Sequence, residues 1–234
     1  MLSKKINFIP SSEECELVVP RPKPSKNYIP EWYKDIPPTS KKLKFNQDSS
    51  VSNLSIRSCM PFLDSYRQGY IQETWTDIYI SSDGEQINYN WANGPVIMSH
   101  RDAPTGFRSS NLFYDIEFVW REPWIPKTPK GYSVLYTSPL NRFDLPFRSL
   151  DAIIDSDFYH HAHSGNYPFY IQKGFTGLIP AGTPMYQIIL IKRDKWVSFQ
   201  TKYNYKKQTT RGHELKKYYT DGYKKLFWQK KHFD

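Results

Sequence analysis

The sequence predicts an all-β fold, one domain built as a barrel or a sandwich. Three observations carry this. Short segments rich in Val, Ile, Tyr and Trp, several of them alternating in polarity, recur from residue 54 to about residue 193, as half-buried strands do. Turn residues separate them at short intervals, which favours antiparallel sheets over alternating strands and helices. Aromatic residues make up 17% of the chain while its mean hydropathy is −0.69, which suits a core of aromatic and β-branched side chains under a polar surface.

Residues 1–53 form an expected extended, proline-rich arm and loop. Pro20, Pro22, Pro24, Pro30, Pro37 and Pro38 remove backbone donors and hold φ near that of an extended chain, so a regular helix is not expected. Ile29, Trp32, Tyr33 and Ile36 add apolar surface that a solvated linker does not need. The arm is therefore expected to pack on the domain or on a neighbouring subunit. "TSKKLKFNQDSSVSN" (39–53) reads as a polar loop.

Residues 54–193 form the expected barrel domain. "GYIQETWTDIYISSDGEQINYNW" alternates through Thr74, Thr76, Ile78 and Ile80, turns at Ser82–Glu85, and resumes at Ile87, Tyr89 and Trp91, a hairpin pattern. Further strands are expected over 114–120, 132–140, 151–158, 167–173 and 184–193. Gly174, Gly177 and Gly182, with Pro180 and Pro184, suit tight turns and form neither a GxGxxG nor a P-loop.

Residues 194–234 form a basic, aromatic segment. Counting from residue 192, the last 43 residues hold 13 Lys or Arg and 4 Asp or Glu, and the remaining chain holds 19 of each. The whole net charge of +9 therefore sits in the tail. Leu215, Tyr218 and Tyr219 have helical spacing, and Asp221-Gly222 interrupts it before Leu226 and Phe227. A short helix packed on the barrel is expected, with its lysines in water. The same interleaving of Lys with rings also suits single-stranded nucleic acid or an acidic protein.

No apolar run reaches a membrane span, and the first residues lack the apolar core of a secretory signal. Cys15 and Cys59 have no metal-ligand spacing and imply no definite disulfide. Synthesis inside a cell is the expectation.

The stretch "AIIDSDFYHHAHSGNYPF" (152–169) carries the densest chemistry. Asp155 and Asp157 would share one face of a strand, where they could hold Mg²⁺ or where one could act as a base, or could be solvated acids at a strand end. His161 and His163 form an H-x-H pair of the kind that points two imidazoles at one metal, as in cupins. That reading needs a later acid and histidine, and the chain offers only His213 and His232 beyond. Arg142, in "SPLNRFDLPF" beside Asn141 and Asp144, suits a phosphate or a salt bridge to Asp144 or Asp151. Gln187 lies in an apolar run, where a buried amide needs partners.

"PKGYSVLYTSPLNRFDLPF", then "AIIDSDF", then "IPAGTPMYQIILIKR" resemble the trimeric dUTP pyrophosphatase and dCTP deaminase superfamily, the β-clip barrels, over residues 129–193. The resemblance implies a trimer that binds, and by extension hydrolyses, a nucleotide or similar phosphorylated molecule, with Mg²⁺ as cofactor. It implies Asp155 as the base for an attacking water, Phe158 under a sugar, Asn141 and Arg142 at the phosphates, and Asp157 and Gln187 lining the pocket. Where the family has a Gly-Arg-Ser turn, this chain has Ser138-Pro139-Leu140-Asn141-Arg142, and no glycine-rich C-terminal arm follows.

Over nearly its whole length the chain also resembles a group of tailed-phage proteins through "IPEWYKDI", "CMPFLDS", "SPLNRFDLPF", "KGFTGLIPAGTPM" and "GYKKLFWQKKHF". That likeness implies a phage origin, the cytoplasm of an infected bacterium or the virion as location, and no particular reaction. The alternatives to nucleotide binding are a non-catalytic phage structural or host-interaction protein and a cupin-like metal enzyme.

Overall fold

The computed structural model describes residues 4–39, 54–83, 86–101, 110–160, 165–218 and 221–234. The N-terminal region holds β1 (Asn7–Pro10), α1 (Glu13–Val18), β2 (Lys23–Pro24) and the one-turn α2 (Glu31–Lys34). The body begins with α3 (Met60–Arg67), β3 (Tyr70–Glu73), the hairpin β4 (Ile78–Ser82) and β5 (Ile87–Trp91), and β6 (Met98–His100). It continues through β7 (Phe118–Arg121), β8 (Trp124–Lys127), β9 (Tyr132–Thr137), β10 (Phe147–Ser149) and β11 (Ala152–Ile154). β12 (Asn166–Ile171), β13 (Gly177–Ile179) and β14 (Pro184–Lys192) complete the strands, and α4 (Tyr205–Lys216) and α5 (Gly222–Leu226) follow.

All described pairings are antiparallel, in four sheets ordered β1-β8, β10-β12-β7-β6, β11-β9-β14-β3-β2 and β13-β4-β5. The chain is thus mostly β, as its alternation predicts. Among the described residues no sheet closes on itself, so the closed-barrel form of the expectation is not what forms. β14 is paired on both sides, by β9 and β3, and its residues 184–188 are buried on both faces, which explains why it reads as a continuous apolar run.

The main core lies among the larger sheets. Trp120 and Phe169 stack with centroids 3.7 Å apart at 4°, and Tyr136, Tyr167 and Tyr186 form a second ring cluster beside them. Trp120 Nε1 donates to Ser149 Oγ, which donates to the Met185 carbonyl. These bonds link three strands inside apolar surroundings, where an unpaired indole N–H would be costly. Gly69, at φ +70°, enters β3 so close to β14 that a Cβ would stand 2.0 Å from the Ile188 carbonyl oxygen; only glycine fits there.

Several expected elements differ in extent. The strand expected over 151–158 ends at Ile154, because the Asp155 carbonyl accepts from Phe158 N and Tyr159 N and closes a turn. The alternation through Thr74 and Thr76 is not strand: both threonines are buried, and Thr74 braces the turn before β14 through Pro180 O and Thr183. Gly84 and Glu85 of the hairpin turn lie outside the described residues.

The N-terminal segment packs on the body and, against expectation, contains short helices. Tyr33 is fully buried beside Tyr66 and Phe62, β2 pairs with β3, and Val19 accepts from Trp124 Nε1. At the other end, among the described residues, it is the last ones that dock. Trp228 and Lys231 bond Asp64, and Phe233 packs edge-on against Tyr70. Residues 194–204, by contrast, are exposed throughout.

Candidate functional site

Asp155 and Asp157 converge on one cation that lies far away in sequence. Arg193, just after β14, places Nη1 2.9 Å from Asp155 Oδ1 and donates from Nη2 to Asp157 Oδ2. Ser133 Oγ donates to Asp155 at 2.6 Å, and Gly131 N donates to Asp157 at 2.8 Å. The acids differ in access, since the Asp157 side chain is 2% exposed and that of Asp155 62%. The Arg193 bond holds the Asp157 carboxyl below the usual carboxylate range, and Asp157 in turn raises Arg193. Phe158 lies on the surface, 68% exposed, under the same guanidinium.

This donor set does not fit Mg²⁺. The guanidinium holds one oxygen of each acid, so an ion placed between the two carboxylates would have to displace Arg193. Among the described residues no group of three His, Cys, Asp or Glu side chains could hold a metal. His160 is buried; His161 and His163 lie outside the described residues.

Arg142 and Gln187 meet at the other end of the β9–β14 ladder. Arg142 forks onto Asp144, with Nε and Nη2 each 2.9 Å from a carboxylate oxygen, and Nη1 reaches the Tyr28 carbonyl at 3.3 Å. Burial works to raise the Asp144 carboxyl, but the bond and charge of Arg142 win and hold it low. Gln187 is 1% exposed and fully used: Oε1 accepts from Leu140 N, and Nε2 donates to the carbonyls of Ser65 and Gln68. Asn141 sits at φ +59° and donates to Ser65 Oγ at 2.7 Å. These bonds fix loop 138–142 in one shape.

Beside that loop opens a cleft of about 220 Å³, lined by Ser138, Asn141, Arg142, Phe143, Arg148 and Gln172 among others. Phe143 is 81% exposed at this cleft. No described residue pairs with the Arg148 guanidinium, so the cleft holds one committed arginine and one available one. Ser133, which holds Asp155, and Thr137, which lines the cleft, stand four residues apart on β9, about 13 Å at the ordinary strand rise. The fold therefore brings Asn141, Arg142 and Gln187 together and leaves Asp155, Asp157 and Phe158 in a separate group.

Comparison with known proteins returns no match to any family model and none to a curated protein.

Glu122 is the group that sequence reading passed over. It follows β7, is 6% exposed, and accepts from Tyr136 OH at 2.6 Å, Tyr167 OH at 3.4 Å and Gly165 N at 3.0 Å. Burial raises its pKa despite these donors, and burial likewise pushes Tyr136, Tyr167 and Tyr186 well up. The available signal was a carboxylate set among Trp120, Trp124 and Ile125 in a stretch otherwise suited to a core.

Proposed function

We propose that the protein binds a phosphorylated small molecule of nucleotide type in the cleft beside loop 138–148. The available Arg148 guanidinium carries this reading, because it faces an open cleft where a planar fork suits phosphate oxygens. Ser138 and Asn141 add polar groups, and the exposed Phe143 ring offers a face on which a base can stack. The segment that stands where the β-clip nucleotide enzymes have their phosphate turn is the one that forms the rim. The three resembling stretches fall on β9, β11 and β14, which pair in one sheet, and this supports reading that sheet as part of a β-clip fold. In this proposal Arg148 is the phosphate contact, and Arg142 shapes the rim.

The reading is one of binding. Asp155 stands at the far end of the ladder, so its service as a water-activating base would need a ligand or a second chain spanning that distance. Calorimetric titration with a panel of deoxynucleotides and with pyrophosphate tests the proposal. Binding that weakens tenfold or more in Arg148→Ala supports it, and a panel without any binding ends it.

A second reading, an assembly or host-interaction protein, draws support from residues 194–205. Trp196, Val197, Phe199, Tyr203 and Tyr205 are each more than 70% exposed there, more apolar surface than an isolated tail requires.

A further inference from the structure

The Glu122 carboxyl is the centre of a site separate from the cleft. Glu122, its two tyrosine donors and Gly165 all line one cavity of about 200 Å³, whose wall also includes Tyr159 and Ser156. Every group that bonds the carboxyl thus borders the same space. Gly165 is needed for this approach, because a Cβ there would stand 2.7 Å from Glu122 Oε2.

Among the described residues that line the cavity, the charge is of one sign. No Lys, Arg or His among the described residues bonds Glu122, and none lines the cavity. Arg121, the adjacent cation, bonds Asn166 Oδ1 at 2.7 Å instead. Three donors aimed at one carboxylate favour its charge, yet a buried carboxylate is costly until a counter-charge joins it. The tyrosine rings add the negative potential of their faces to that of the acid. What complements such a space is a small positive group with an apolar surround.

We propose that this cavity binds a small organic ammonium ion, paired with the Glu122 carboxylate and enclosed by Tyr136, Tyr159 and Tyr167. At about 200 Å³ the space is below the roughly 300 Å³ at which pockets take drug-sized ligands, so the occupant is a few heavy atoms around nitrogen. Tyr159, 58% exposed, stands at the mouth, and Ser156, 1% exposed and bonded to Thr128 Oγ1 at 2.7 Å, closes part of the wall.

The test uses the full chain and two isosteric probes, choline and its neutral carbon analogue 3,3-dimethylbutan-1-ol, with methylammonium as a smaller cation. Titration calorimetry should show binding of at least one cation and none of the neutral analogue, with affinity falling tenfold or more in Glu122→Gln. Circular dichroism and thermal melting establish that the variant is folded. Tyr159→Ala, at an exposed position, serves if it is not, and should weaken cation binding severalfold. Absence of binding by either cation, equal binding of the neutral alcohol, or unchanged affinity in a folded Glu122→Gln would each overturn the proposal. Arg148→Ala should leave cation affinity unchanged, so this result and that of the phosphate cleft are read separately.

Discussion

The hydroxyl of Tyr136 donates to Glu122 Oε1 at 2.6 Å, and both residues are buried. The acid on β7's end and the ring on β9 come from different sheets. Their bond therefore ties the four-stranded sheet to the five-stranded one through a group whose charge depends on pH.

That dependence has a definite sign. Burial raises the folded-state pKa of Glu122 above its ordinary 4.5. Its contribution to stability is thus fully present below the unfolded value and is lost as pH rises through the folded one. Asp144 and Asp157 are lowered from 3.8, so their contributions are lost at the acid end, as pH falls through their folded values. Melting temperatures measured from pH 3 upward should rise as these two ionise, then decline as Glu122 does. Glu122→Gln should remove the decline and spare the acid rise; an unaltered profile would show that Glu122 does not govern it.

Gln187 tests the loop that frames the cleft. Its amide holds Leu140 N and two carbonyls at a position that is 1% exposed. Gln187→Leu keeps the volume and leaves a backbone N–H and two carbonyls without that partner, at a cost of about 2–4 kcal/mol. Urea denaturation should register this loss. Nucleotide affinity should fall as well, because the rim loses its anchor, whereas Arg148→Ala should lower affinity and leave stability within about 0.5 kcal/mol of the native chain, as at other exposed sites.

The Arg193 cluster makes a prediction about order among variants. Asp157 is enclosed and depends on Arg193 for its counter-charge, while Asp155 is largely in water. Arg193→Ala should therefore depress the melting temperature more than Asp155→Ala does, since the former strands an enclosed carboxylate. The Arg193→Ala defect should lessen in Arg193→Ala/Asp157→Asn, where no enclosed charge is left unpaired and Asp155 remains largely in water. Equal effects of the two single variants would mean that the enclosed pair is not what holds the turn.

These relationships set the limits of what the sequence revealed. β14, β9, β12 and the β4–β5 hairpin were legible because each is long enough for its apolar pattern to be read. β1, β6, β8, β10 and β13 run three or four residues and form because a partner strand lies beside them, which local pattern does not record. Asp155 and Asp157 were visible as a pair, but their partner Arg193 is 38 and 36 positions away, respectively. Of the metal candidates, Asp155 is thus an acid bonded to an arginine, and His161 and His163 lie outside the described residues. Arg142 was legible as one of two alternatives, of which the salt bridge to Asp144 is the one this structure contains. Glu122 carried a compositional signal, a carboxylate between tryptophans, whose meaning depended on Tyr136 and Tyr167 arriving from other strands.

The exposed segment after β14 gives the last prediction. Trp196 and Phe199 are 85% and 87% exposed, and Lys195 and Lys202 accompany them. Among the described residues β11 is an edge strand whose Ile153 is 65% exposed, followed by the exposed Phe158 and Tyr159 and bracketed by Asp151 and Asp155. A basic, apolar segment and an acidic, apolar edge are complementary, and an unpaired edge can accept an added strand. Sedimentation velocity should thus show self-association of the full chain that weakens as salt is raised. Trp196→Ala/Phe199→Ala should abolish it while leaving the melting temperature of the dissociated chain within a degree or two, as these side chains support no core. A chain that remains monomeric at high concentration and low salt, yet shifts on adding oligothymidylate, would assign the segment to single-stranded nucleic acid instead.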